Sequence, residues 1–166
     1  FGLVLLSVLQ EVANRRLFSV VREERRLTYD ASFQFNAPET LMGSWYTVSV
    51  TSSPQQVQAA IDACKDALAS LKGPFGIASD GVQSAKRTLL NRFRGESLTN
   101  KFWCENLSGT QSDSVPLKTV QCISEYEQVL GGITVYDVQQ LVQLLDFSED
   151  NMTSVCGVAG ATMNGN

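Results

Sequence analysis

The sequence predicts an α+β domain, and three observations carry that prediction. Two stretches, 29–36 and 44–52, alternate apolar and polar residues with a period of two. Several longer stretches repeat their apolar residues at helical spacing. A late apolar run with glycine, 152–160, reads as one more strand in a buried sheet position. The expected architecture is a mostly antiparallel sheet with helices packed on one face, forming a single domain over residues 1–166. Three strands make a thin sheet for so many helices. Further strands are therefore expected upstream of Phe1, with this chain starting inside its domain.

Residues 3–26 open the chain as a helix. Leu6, Leu9, Ala13, Leu17 and Val20 form its apolar stripe, and Asn14 is placed to cap a second helix after a break. The period then changes to two. Tyr29, Ala31, Phe33 and Phe35 are expected on one face, with Thr28, Asp30, Ser32, Gln34 and Asn36 on the other. Asn36-Ala37-Pro38-Glu39 ends this strand as a turn. Tyr46, Val48 and Val50 alternate with Thr47, Ser49 and Thr51 in the next one. The short connection predicts an antiparallel pair.

Ser53-Pro54-Gln55-Gln56 reads as a capped helix start, with Val57, Ile61, Cys64, Leu68 and Leu71 as the buried stripe and Gly73-Pro74 as the stop. A longer helix follows, with Val82, Ala85, Leu89 and Phe93 inward and Lys86, Arg87, Arg92 and Arg94 solvated. It is expected to continue past an interruption near Gly95 to Leu107, with Trp103 as a core anchor. After a polar loop over 108–116, a helix spans 117–130 and ends at Gly131-Gly132. Thr134 caps the last helix, where Asp137 favours the positive end of the dipole. Val138, Leu141, Val142 and Leu145 line its inner face.

Composition removes several classes of function. The net charge is −4, and no basic stripe is available to neutralise phosphates, so no nucleic-acid partner is expected. The longest apolar run, Leu3–Leu9, is too short to span a bilayer, and no membrane partner is expected. The chain begins with Phe1 rather than Met and lacks the cationic start of a signal peptide, which predicts a processed chain or a fragment. Four cysteines are too widely spaced for a zinc knuckle and are expected to be reduced and mostly buried. The absence of histidine excludes Ser-His and Cys-His nucleophilic catalysis, a His general base and a His-ligated metal within this chain. Neither Gly131-Gly132 nor the tail from Gly157 to Gly165 has phosphate-loop spacing. Read from these features alone, the chain is a soluble α+β domain with no self-contained active site.

One stretch says more. The run 16–35, RLFSVVREERRLTYDASFQF, resembles the C-terminal half of the pitrilysin/insulinase family of zinc metallopeptidases. That family carries R-L-F, three residues, R-E, a basic stretch and L-x-Y before an alternating strand. Arg16-Leu17-Phe18, Arg22-Glu23 and Leu27-Thr28-Tyr29 fill those places. The resemblance continues through the strand ending VTSSP, the helix VQAAIDACKDALASL, AKRTLLNRF at 85–93 and ITVYDVQQLV at 133–142. Within the family the similarity is strongest to members that process transit peptides in plastids, through WYTVSVTSSP, SVPLK and CGVAGA. The family often has glycine before the leucine of L-x-Y. Arg26 stands there in this sequence, a departure that bears on the turn.

The resemblance implies a half-clamshell domain, one of two similar α+β units that close around a chamber. It implies a zinc cofactor in the full-length enzyme, held outside this chain by an H-x-x-E-H helix and a later Glu. It implies no catalytic or metal-binding residue here, but two substrate-binding residues seven apart, Arg22 and Tyr29. The partners it implies are an extended polypeptide substrate and the N-terminal catalytic domain of the same protein. Self-association is expected too, because missing strands would leave an edge exposed. The implied location is the plastid stroma, in a chloroplast or apicoplast, and a soluble intracellular one without the resemblance. The fragment alone is expected to be inactive. A catalytically inactive paralogue, serving as a structural or peptide-binding subunit, is the alternative.

Overall fold

The computed structural model describes residues 1–36, 44–108, 110 and 120–157. Its first helix, α1 (Gly2–Leu17), is the hub of the chain. It packs against both the sheet and the later helices. Val8, Leu9, Val12, Ala13 and Leu17 are its buried residues. No break occurs at Asn14. Instead α1 runs directly into a π-helical turn, Phe18–Glu24. The wider turn absorbs an extra residue, so Val21 takes the fully buried place and Val20 only packs against the core.

Two strands follow, β1 (Asp30–Asn36) and β2 (Trp45–Thr51), paired antiparallel. Their register sets Ala31 opposite Val50, Phe33 opposite Val48 and Phe35 opposite Tyr46. These six residues form the inward face, as the alternation predicts. Phe33 stacks on Tyr46 at 5.5 Å between centroids and meets Phe35 edge-on at 4.9 Å. The core lies between this face and the helices.

The helix α2 (Val57–Ser70) buries Ala60, Ala63, Cys64, Ala67 and Leu68. Small residues on this face let it lie close to α1 and the π turn. The expected capping box is replaced by a turn, in which Gln56 N donates to Ser53 O at 2.9 Å. Val57 and Ile61 are half-buried and line a groove of about 1000 Å³ beside β2, together with residues 152–157.

The long helix splits as expected into α3 (Ser79–Glu96) and α4 (Asn100–Leu107), with Thr99 capping the second. The cations of α3 are engaged more than the sequence predicts. Lys86 Nζ donates to Gly131 O and Ile133 O at 2.7 and 2.8 Å, and so caps the end of a later helix. Arg92 pairs with Glu11 at 2.7 Å, and Arg94 forks onto Glu127 at 2.8 Å. Trp103 is not a core anchor. It is 39% exposed at the end of an aromatic ladder through Phe102 and Phe93 to Tyr126.

The helix expected over 117–130 is two pieces within the described residues, α5 (Gln121–Ser124) and α6 (Tyr126–Gly132). The last helix, α7 (Val135–Leu144), has the expected Thr134 cap, closed into a capping box by Asp137. The closing strand is corrected: residues 152–157 form no strand, and the sheet of the described residues has two strands. The turn after Asn36, the end of the polar loop and residues 158–160 lie outside the described residues. Cysteine burial is corrected as well. No disulfide joins the four cysteines, but only Cys64 is buried, where desolvation pushes its pKa up to about 11.

Candidate functional site

Arg22 lies in the last turn of the π segment and Tyr29 just before β1. Both side chains reach solvent from one helix–strand junction, and no hydrogen bond or ring contact joins them. Tyr29 is 88% exposed. This differs from the alternation, which places it inward with Ala31 and Phe33. The strand begins only at Asp30, so the two-residue period does not extend back to Tyr29.

The backbone between the two residues is firmly held. Leu27 N donates back to Val21 O at 3.0 Å and Arg25 N to Val20 O at 3.1 Å. Both bonds satisfy carbonyls that the end of the wide turn would otherwise leave open. Arg26 sits between these donors at φ 54°. It adopts the left-handed conformation in which glycine is usual. Arg26, where the resemblance leads one to expect glycine, thus takes a backbone conformation that glycine favours.

Thr28 completes the junction. It is 7% exposed, although the alternation places it on the solvent face. Its hydroxyl lies within hydrogen-bond reach of Thr51 O and of Asp30 O (2.7 Å), and accepts from Asp30 N at 3.0 Å. Ser52 Oγ donates to Leu27 O at 2.6 Å. The hydroxyls of Thr28 and Ser52 thus rivet the start of β1 to the end of β2. The Thr28-x-Asp30 spacing is the sequence signal for such a local hydroxyl turn. Tyr29 therefore stands between two fixed residues, its backbone held in place and its ring in solvent.

Arg22 is not neutralised. Its neighbour Arg25 pairs with Asp66 at 3.0 Å, and Glu24 accepts from Ser19 Oγ at 3.3 Å. Among the described residues no carboxylate meets Arg22. Its guanidinium carbon lies over the Phe18 ring, 4.7 Å from the centroid. The arrangement offers a guanidinium and a phenol to a ligand rich in oxygen acceptors, such as a polypeptide backbone.

A metal centre does not fit these residues. The chain has no histidine, and among the described residues no three Cys, Asp or Glu side chains converge as ligands. The groove beside β2 contains neither Arg22 nor Tyr29.

Comparison with known proteins places the chain in a family. The family described as Peptidase M16 inactive domain matches residues 2–89. Over 161 residues the chain is 40% identical to the chloroplastic stromal processing peptidase of Pisum sativum, covering 97% of this chain and 13% of that protein. The corresponding proteins of Arabidopsis thaliana and Oryza sativa subsp. indica are 40% and 39% identical over the same shares. The chain thus spans 13% of the length of these relatives. A crystal structure of a conserved protein from Enterococcus faecalis V583 superposes with a TM-score of 0.68 at 18% identity, over 84% of this chain and 32% of that one. At that identity the likeness is one of fold.

Proposed function

Because the chain belongs to the peptidase M16 family, as its inactive domain, we propose that it is the non-catalytic, substrate-binding part of a larger zinc endopeptidase. The substrates are extended polypeptides such as transit peptides, and the location is the plastid stroma. The names of the 40%-identical relatives support the plastid and processing roles. In this reading the zinc belongs to a catalytic domain outside this chain. Residues 1–166 act as one domain that faces it.

The observation that carries the proposal is the pair of exposed donors, Arg22 and Tyr29, on a junction whose backbone is fixed from both sides. An extended polypeptide presents a row of carbonyl oxygens. The Arg22 guanidinium donates to those carbonyls and sets the register of the substrate. The Tyr29 phenol donates to the oxygen of the scissile carbonyl, where negative charge develops during attack by water. That bond strengthens as the charge grows, so it favours the transition state over the bound substrate.

The test is cleavage of a transit-peptide substrate by the complete protein. Arg22→Ala and Tyr29→Phe are each expected to lower kcat/KM by roughly one to three orders of magnitude, the first through lost charge-assisted bonds to the substrate and the second through a lost oxyanion donor. Unchanged kinetics in both variants would remove these roles. The isolated chain is expected to cleave nothing, with or without added zinc. Chelator-sensitive cleavage by it would overturn the assignment.

A further inference from the structure

The geometry points to Phe18 as a positioning residue for Arg22, an inference that rests on the substrate-binding role proposed above. Phe18 opens the π turn and remains 44% exposed, although most of the large apolar side chains of α1 are packed inward. Arg22 follows four residues later, with its Cζ over the Phe18 ring at 4.7 Å. In a helix with i→i+5 bonds, side chains four and five apart are vertical neighbours. The wide turn therefore stacks one over the other.

The choice of an aromatic partner has a chemical consequence. A carboxylate would hold the guanidinium by its N–H edge and occupy the donors that the substrate needs. That is the state of Arg25, which Asp66 engages at 3.0 Å. A ring holds a guanidinium by its charge and its face, leaving the N–H edge free. Arg22 is thus kept in place without consuming its hydrogen-bonding capacity. A long side chain restrained before the substrate arrives loses less freedom on binding.

The experiment uses the complete protein and a transit-peptide substrate, with Phe18→Leu, Phe18→Trp, Arg22→Ala and the Phe18→Leu/Arg22→Ala double variant. Phe18→Leu is expected to raise KM about two- to fivefold, the range of an exposed cation–π contact, with kcat nearly unchanged. Phe18→Trp should retain the wild-type KM, since the indole face serves equally. In the Arg22→Ala background Phe18→Leu should have no further effect. An equal loss in both backgrounds would show that Phe18 acts on the substrate or the fold, which overturns the inference but leaves the role of Arg22 standing. A wild-type KM in Phe18→Leu, or a Phe18→Trp variant as impaired as Phe18→Leu, would also overturn it. If Arg22→Ala itself has no effect, the substrate-binding role fails, and the positioning role falls with it.

Discussion

The carboxamide of Asn14 pairs with both backbone groups of Phe33. Asn14 Nδ2 donates to Phe33 O at 3.0 Å, and Phe33 N donates to Asn14 Oδ1 at 2.7 Å. One residue pair further along, Phe35 N donates to Gln10 Oε1 at 2.9 Å. Helix α1 therefore closes the side of β1 away from β2 with side chains, supplying what a neighbouring strand would supply. Asn14→Leu fits the helix but leaves an N–H and a carbonyl of Phe33 without partners. Its cost is expected at about 2–4 kcal/mol, the desolvation penalty of two such groups. Asn14→Asp keeps the acceptor, but it sets a carboxylate oxygen against the Phe33 carbonyl. Chemical denaturation of the chain checks both, with each variant less stable than wild type.

Arg26 is the one described non-glycine residue with positive φ. Arg26→Gly removes a Cβ from a conformation that costs a side-chain-bearing residue about 1 kcal/mol. Among the described residues no hydrogen bond or ion pair of the Arg26 side chain offsets this, so the substitution is expected to be stabilising. Thermal unfolding should show a raised Tm. A lowered Tm would mean that unfolded-state freedom outweighs the strain.

Gly76 is constrained by space rather than by φ. A Cβ there would lie 2.3 Å from Leu71 O and 2.4 Å from Ser70 O, both backbone atoms. Arg16 Nη2 also donates to Gly76 O at 2.7 Å, which ties the loop to α1. Gly76→Ala must displace the end of α2 and is expected to cost roughly 3 kcal/mol or more. A denaturation midpoint equal to wild type would contradict this.

Acid should weaken the fold through three carboxylates. The Thr134 hydroxyl and backbone N–H hold the Asp137 pKa below its usual value. The Ser148 N–H, its hydroxyl and the Asn151 amide do the same for Asp146, and Arg94 for Glu127. A carboxyl whose pKa is lower when folded stabilises the fold above its unfolded value, near 4, and that contribution is lost as the pH falls through the folded value. The Tm of the chain is expected to drop on acidification below about pH 4. In Asp137→Asn the Tm should be lower at neutral pH, and part of the acid-dependent loss should disappear.

The paired strands and the last helix were legible because their signals are local. Alternation separates an inward Phe33 from an outward Gln34, and Thr134 with Asp137 spells out a capping box. The site was only partly legible. Arg22 and Tyr29 emerge from a spacing shared with a family, but nothing local announces the π turn, because no residue type is peculiar to it. Thr28 shows the same limit. Its burial depends on Thr51, which lies 23 residues away and is brought close by strand pairing. The exposure of Cys104, Cys122 and Cys156 depends likewise on packing that no short stretch records.

The π turn also sets a rule for chain length. It holds one residue more than a regular helix would, and that residue fixes the angular phase between the buried side of α1 and everything after it. Deleting a single residue from a helical segment that keeps its winding rotates the following positions by about 100° against what precedes them. A deletion ahead of Val21 would turn that side chain out of the core, while Phe18 and Arg22, still three or four apart, would remain neighbours. Substitution at an exposed position of this segment is a small perturbation. Insertion or deletion there is a change of phase, and the segment should vary in sequence among functional relatives far more readily than in length.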